Sequence, residues 1–228
     1  MAKLEWNTAG TKKYTLGVSK GVLYLPTNGA YTQGVAWNGL TSVKETPSGA
    51  DEQKFYADNI QYGSIRGTED FGGTVECYIY PDEFGACNGE TEIATGVKIN
   101  QQTRKPFGLS YRNEIGNDTD GQSYGYELHL IYNATTSPSE KQHNTINNSP
   151  AADTMSFTFA CNPVQTKFAS KPLSHITINS TTVDPVKLKA LEDMLYGTNA
   201  TVSEGTETAA ATNPMLPLPD AVYDLFKE

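Results

Sequence analysis

The chain has 228 residues, enough to bury a hydrophobic core without disulfides or metals, and its net charge of −9 argues against wrapping DNA or binding an anionic membrane. Aromatic residues make up 10% of the sequence, and 20 glycines and 12 prolines are spread along it, which is typical of many strands joined by turns. The start of the chain does not resemble a secretion signal and no apolar run reaches about 18 residues, so we expect no membrane insertion and three reduced cysteines inside a cell.

Strand-like stretches separated by turn residues recur along the chain. They are predicted at residues 20–25, 34–46, 54–65, 74–80, 107–115, 124–133, 154–161 and 174–179. About eight strands of this kind favour a mainly β fold, either a β-sandwich or a barrel-like sheet.

The clearest strand covers residues 124–133, in which aromatic and aliphatic residues alternate with others. One face carries Tyr124, Tyr126, Leu128, Leu130 and Tyr132. Such period-two alternation is typical of a half-buried strand. Because the preceding run at 107–115 is separated from it by the turn-rich residues 116–121, the two runs are predicted to form a β-hairpin.

Two helices are predicted, a short one beginning near Pro81 and a longer one at residues 184–197. The longer helix has Asp184 as its N-cap, Pro185 in its first turn and Gly197 at its end. Its apolar stripe consists of Leu188, Leu191, Met194 and Leu195. A single stripe of this width predicts a helix that covers one side of a sheet.

The C-terminal part of the chain changes character twice. Residues 198–213 have one large apolar residue, Val202, and are predicted to be a flexible linker. Residues 214–228 are apolar again and are predicted to contain a short helix that docks on its own domain or on a neighbour. The candidates for docking between subunits are Leu218, Val222, Leu225 and Phe226.

The sequence contains no nucleophile elbow, phosphate-binding loop, dinucleotide-binding glycine motif or zinc-protease motif, so no enzyme is predicted. The acids Glu83, Glu90 and Glu92 are not evidence for a glycosidase, because sequence spacing does not fix the distance between carboxylates. The three histidines are far apart in sequence, and Cys77 and Cys87 lack the spacing of a zinc site. We therefore predict no catalytic residue, no cofactor and no metal.

Several stretches, in a fixed order, are similar to one protein family. They are residues 21–51, 56–62, 77–87, 101–118, 124–134, 139–150 and 184–197. In their order and number these stretches resemble the major tail tube proteins of long-tailed (siphovirus-type) bacteriophages, and the likeness spans roughly residues 20–197.

The resemblance implies a β domain at 1–197 with a packed helix, the tail tube fold, in a protein that assembles as hexameric rings. The rings stack into a hollow tube through which DNA passes without specific binding. Tape-measure, tail-tip and terminator proteins are the implied partners. The implied location is the virion tail, after assembly in the host cytoplasm.

The resemblance also implies that a loop after an early strand reaches the next ring. The candidate residues for this loop are Glu45, Thr46, Pro47, Ser48, Gly49, Ala50, Asp51, Glu52, Gln53 and Lys54, with the turn at 117–123 as an alternative. The acidic composition predicts a negatively charged lumen that does not retain DNA. The candidates for its charges are Glu45, Glu76, Glu114 and Glu127.

Two other functional classes remain compatible with the sequence. One is a different phage structural protein, such as a tail terminator or a capsid decoration protein. The other is a β-rich adhesin or carbohydrate-binding module, which the tyrosine content favours but the odd number of cysteines does not.

Overall fold

A computed structural model describes residues 3–146, 148, 151–203 and 206–227. The first strands are β1 (Tyr14–Thr27), β2 (Ala30–Ala36), β3 (Leu40–Glu45), β4 (Ser48–Gly49), β5 (Glu52–Ala57), β6 (Ile60–Arg66), β7 (Glu69–Asp70) and β8 (Gly72–Cys77). The others are β9 (Thr91–Ala94), β10 (Val97–Ile99), β11 (Phe107–Asn117), β12 (Gly121–Thr136), β13 (Met155–Cys161), β14 (His175–Asn179), β15 (Thr201–Ser203) and β16 (Thr206–Ala209). The helices are α1 (Phe84–Cys87), α2 (Pro185–Tyr196) and α3 (Pro219–Phe226).

The prediction of a mainly β fold with a flanking helix and a short C-terminal helix is confirmed. One large antiparallel sheet has the order β2-β1-β11-β12-β13-β8-β3, and β14 also pairs with β12. The hairpin predicted around residues 116–121 is β11–β12, with longer strands than predicted and a tighter turn. The remaining strands form small two-stranded ribbons outside this sheet.

Two of the predicted strands are each divided into two. The run at 34–46 is divided into β2 and β3 by a turn at residues 37–39, and the run at 54–65 is divided into β5 and β6. The second division occurs at Asp58 and Asn59, both of which have positive φ angles. Asparagine and aspartate tolerate this backbone conformation better than other residues with side chains, which favours a tight hairpin turn here.

The sheet separates two hydrophobic cores. The inner core lies within the curve of the sheet and consists of Leu23, Trp37, Val75, Cys77, Phe84, Cys87, Phe107, Leu109, Tyr111, Ile131, Ala134, Phe157, Phe159 and Cys161. The helix-side core lies between the sheet and the helices and consists of Val22, Tyr24, Tyr31, Leu128, Leu130, Tyr132, Ile178, Leu188, Leu191, Leu195, Leu216 and Val222. Successive residues of β1 and β12 contribute to opposite cores, as the two-residue period of a strand requires.

A bulge in β12 changes which residues face the inner core. Leu109 pairs with Ile131, but Phe107 pairs with Ala134, so β12 contains one extra residue between the two pairs. Asn133 lies in this interval with a φ of 51°. The extra residue lets Ile131 and Ala134 both face the inner core although they are three positions apart.

Helix α2 begins and ends where the sequence predicts. The Asp184 carboxylate accepts hydrogen bonds from the backbone N–H groups of Val186 and Lys187, and Pro185 occupies the first turn. Gly197 follows the last turn with a φ of 73°, a conformation that costs glycine little. Leu188, Leu191 and Leu195 are buried on the sheet, whereas Met194, also predicted on this stripe, is exposed.

The C-terminal segment packs on the same domain. The Leu216 N–H donates to the Tyr31 carbonyl, and the Tyr132 hydroxyl donates to the Pro217 carbonyl. Val222 of α3 is buried in the helix-side core. The preceding residues 198–213, predicted as a linker, contain the β15–β16 ribbon, and Thr198 and Thr212 are hydrogen-bonded through their backbones at its base.

The curved sheet nearly meets itself between β1 and β3. The Trp37 N–H donates to the Gly21 carbonyl, and a Cβ atom at Gly21 would lie 2.2 Å from Leu40 Cδ1, so a larger residue here would have to displace the Leu40 side chain. Toward the other end of β3 the two strands diverge and leave a cleft of about 530 Å³ lined by residues 15–18 and 41–43. Among the described residues, no helix is long and apolar enough to cross a membrane.

The burial of α2 on the sheet leads to a stability prediction. Leu191 is fully buried, so Leu191→Ala removes apolar contacts and leaves a cavity. We expect the free energy of unfolding to fall by about 2–5 kcal/mol, measured by urea denaturation. Val186→Ala on the exposed side of the same helix is the matched control, and equal stability of the two variants would contradict the packing described here.

Candidate functional site

Residues 46–71, which we call the arm, leave the main sheet between β3 and β8. Strand β4 pairs with β7, and β5 pairs with β6, so the arm is a long two-stranded hairpin. Its tip is the turn at Asp58 and Asn59. The loop predicted at residues 45–54 is therefore the first limb of this hairpin, together with the last residue of β3.

The arm carries large apolar side chains that the rest of the chain does not cover. The exposed residues are Phe55, Tyr56, Ile60, Tyr62 and Ile65. Tyr62 is 72% exposed and Ile65 is 66% exposed, values far from those of a core residue. A projecting two-stranded ribbon is only marginally stable in water by itself, and several exposed large apolar side chains on such a ribbon are typical of an interaction site.

A polar cluster lies at the root of the arm, where β3 ends. Glu45 Oε1 accepts a hydrogen bond of 2.5 Å from the Tyr111 hydroxyl and lies 3.1 Å from His129 Nδ1 and 3.4 Å from His175 Nε2. These residues belong to β3, β11, β12 and β14. We call Glu45, His129 and His175 the root cluster.

The surroundings of the root cluster shift the pKa values of its members. A hydrogen bond donated by His129 in its protonated form lowers the pKa of Glu45 to about 2; burial opposes this effect, and the bond from Tyr111 adds to it. Burial lowers the pKa of His175. Burial and the hydrogen bond to Glu45 raise the pKa of the Tyr111 hydroxyl. The carboxylate is therefore ionised at neutral pH while the phenol keeps its proton.

Aromatic stacking holds the histidine rings in place. The Tyr111 and His129 rings are parallel with centroids 4.6 Å apart, and the Phe71 and His175 rings stack at 4.7 Å. Sequence reasoning did not find the root cluster because its members are widely separated along the chain. The one available signal is that Tyr111 and His129 are paired across the predicted hairpin.

The four acids predicted for a lumen do not lie on one face. Glu45 and Glu127 are on the same face of the sheet as Tyr111, whereas Glu114 lies toward α2, in a surface pocket that Lys189 and Glu192 also line. Glu76 points away from the inner core and accepts a hydrogen bond of 2.8 Å from the Ser42 hydroxyl.

The four residues proposed to dock between subunits are also placed by the structure. Val222 is buried in the helix-side core of its own domain, and Leu225 and Phe226 are packed against that core. Leu218 is exposed, at the N-cap of α3. Within one chain, this segment therefore packs on its own domain.

Of the acids considered for glycosidase chemistry, only Glu90 is buried. Lys141 Nζ lies 2.8 Å from its carboxylate, which also accepts hydrogen bonds from the Tyr80 hydroxyl and the Asn88 amide. Burial raises the pKa of Glu90, but the bonds from Lys141, Tyr80 and Asn88 outweigh it and the net pKa is lowered. This carboxylate is a structural ion-pair partner.

Known proteins show only weak similarity to this chain. No family model matches the chain, and no curated protein matches it. It is similar to a chain of the sheath–tube complex of an extracellular contractile injection system (PVC) in the extended state, at 12% identity and a TM-score of 0.33, covering 70% of this chain and 88% of that one. It is also similar to a chain of the PVC sheath/tube terminator, at 14% identity and a TM-score of 0.30, covering 72% of this chain and 97% of that one. At these values no functional argument rests on the likeness.

The Glu90 ion pair predicts a pH dependence of stability. Because the folded state lowers the pKa of Glu90 below its ordinary 4.5, its contribution is complete above that pH and is lost as pH falls further. Glu90→Gln should therefore lower the free energy of unfolding by about 1–3 kcal/mol at pH 7, and its difference from wild type should shrink below about pH 4.5. Urea titrations across pH measure this, with exposed Glu83→Gln as control. A difference independent of pH would contradict the assignment.

Proposed function

We propose that this chain is the repeating structural subunit of a phage tail tube. In this proposal the subunits form hexameric rings, the rings stack, and the resulting conduit carries DNA into the host. The sequence resemblance to major tail tube proteins motivates the proposal. The uncovered apolar surface of the arm is the observation that carries it.

The arm supports stacking because its geometry suits a contact with another copy of the chain. Among the described residues, its strands pair only with each other, β4 with β7 and β5 with β6, so they extend from the sheet as a ribbon on which Tyr56, Tyr62 and Ile65 expose apolar surface. A second copy in the next ring is the proposed occupant, since a tube of identical subunits presents the same receiving surface at every position. Burying these side chains would stabilise both the arm and the stack.

The main sheet supports ring formation through its free edge. Among the described residues, β3 pairs with β8 on one side and forms no ladder on the other. An unpaired strand edge is a template for pairing with another chain, and closure of a ring removes such edges. We therefore place the contact between ring neighbours at or beside β3.

The lumen is assigned to the outward face of β3, β8 and β13. Its side chains are short or polar and include Lys44, Thr74, Glu76, Ser156, Thr158 and Ala160. Short side chains leave room for a wide channel. The net charge of −9 per subunit disfavours retention of DNA. Of the four acids predicted to line the lumen, this assignment keeps only Glu76.

The same proposal includes the partners and the location. A tube of this kind requires a tape-measure protein in its lumen during assembly and tip and terminator proteins at its ends. The subunit would be made in the host cytoplasm and would function in the virion tail.

Removal of the arm tests the proposal directly. Residues 51–67 can be replaced by Asn-Gly, because the Ala50 N–H already donates to the Thr68 carbonyl and Asn-Gly favours the tight turn then required. We expect a folded subunit with an unchanged circular dichroism transition that forms no tubes under conditions in which the full chain does. Electron microscopy and sedimentation measure this outcome.

A point substitution distinguishes the effect of the apolar side chains from the effect of shortening the arm. Tyr62→Asp should prevent stacking because it places a charge in the buried contact, whereas Ile93→Asp on the exposed β9–β10 ribbon is the matched control. Tubes of normal length from both the arm deletion and Tyr62→Asp would refute this role for the arm.

The lumen assignment predicts an effect on DNA transit. Replacing Thr74 and Thr158 by lysine adds two positive charges to the assigned face and should slow DNA ejection from particles at low salt, with recovery as salt rises. Glu140→Lys changes the net charge by the same amount at an exposed position elsewhere. Equal ejection rates for the two variants would place the lumen on another face.

A further inference from the structure

The root cluster brings together three atoms that can each serve as a metal ligand. Glu45 Oε1, His129 Nδ1 and His175 Nε2 are separated by 3.1, 3.1 and 3.4 Å. In a tetrahedral zinc site with ligand distances near 2.0–2.1 Å, neighbouring ligand atoms lie about 3.3 Å apart. The triangle therefore has the size that a first-row transition metal ion requires.

The hydrogen bonds around His129 indicate which of its two nitrogens offers a lone pair when the ring is neutral. The Asn113 amide nitrogen donates to Glu127 at 3.4 Å, which leaves the Asn113 oxygen facing His129 Nε2 at 2.7 Å. Nε2 must then carry the hydrogen, so Nδ1 of a neutral His129 presents a lone pair to the Glu45 carboxylate. Two acceptors at 3.1 Å need a cation or an added proton between them.

The neighbouring residues are those expected around a bound metal. A histidine that ligates a metal usually donates its other N–H to a neighbouring oxygen, as His129 does to Asn113. A ligating carboxylate is usually hydrogen-bonded as well, and the Tyr111 hydroxyl donates to Glu45.

A metal would satisfy all three atoms, whereas one shared proton satisfies one pair. The planes of the histidine rings differ by 6° and their centroids lie 5.3 Å apart, so the facing nitrogens meet nearly edge to edge. Metal binding therefore requires each ring to turn about χ2, a torsion with a broad energy well in histidine. The cleft of about 530 Å³ beside Glu45 and His129 provides an entry path and room for a water as fourth ligand.

We propose that Glu45, His129 and His175 bind one divalent first-row transition metal ion, with zinc as the best match to two nitrogens and one carboxylate oxygen. The ion would join the end of β3 to β12 and β14. Since Glu45 directly precedes the arm, metal binding would fix the arm root on the sheet. This proposal does not depend on the tail tube assignment.

The test uses the full chain without an affinity tag, after treatment with EDTA and removal of the chelator. Titration with ZnCl2 should show one ion per chain by calorimetry and by metal analysis after gel filtration. At free zinc about 100-fold above Kd, the melting temperature should rise by about 5–10 °C. Co²⁺ in place of Zn²⁺ should give the visible absorption bands of a tetrahedral site.

Variants identify the ligands. His175→Asn and Glu45→Gln should each abolish stoichiometric binding, and His143→Asn, at an exposed position, should bind as wild type does. In the presence of metal, backbone hydrogen exchange at residues 44–47 should slow in wild type and in His143→Asn, and should not change in the variants that do not bind metal.

A folded wild-type chain that binds neither Zn²⁺ nor Co²⁺ would overturn the proposal, and the root cluster would then be a hydrogen-bonded pair of histidines beside a carboxylate. Binding that persists in both His175→Asn and Glu45→Gln would overturn it as well. Because the first of these results needs only the wild-type chain, misfolding of a variant cannot obscure the answer.

Discussion

The two-sided burial of β12 is the constraint on which the other parts of the fold depend. Its 16 residues pair with β11 along one edge and with β14 and then β13 along the other. Leu128, Leu130 and Tyr132 face α2 and the C-terminal segment, while Ile131 and Ala134 face the inner core. A shift of register by one residue would exchange these faces and expose both cores, so the β11–β12 hairpin fixes the sheet.

Sequence reasoning found the elements whose signals are local. The alternation in β12 and the signals that begin and end α2 are each contained in a few neighbouring residues, and both predictions are confirmed. The arm was missed because residues 54–65 have strand character throughout, and the turn at Asp58 and Asn59 contains no glycine to mark it. The prediction at 45–54 thus described half of a hairpin.

The root cluster could not be predicted because it depends on sheet order. Glu45 reaches His129 only because β3 curves back across the face of the sheet, and His175 reaches it only because β14 joins β12 at the edge that β13 leaves free. No periodicity within one strand contains this information. The placement of α3 has a similar cause: its apolar face was evident, but its partner is a surface built from β1, β12 and α2.

The three cysteines lie in the inner core, where burial raises the pKa of the Cys77 thiol to about 11 and those of Cys87 and Cys161 to about 12. Thiols that are both covered and protonated react slowly with oxidants and alkylating agents, since the thiolate is the reactive species. The buried thiols can therefore serve as probes of the opening of the sheet. The rate at which a thiol reagent labels these positions reports how often the sheet opens, and it does so whether the subunit is alone or embedded in a large assembly.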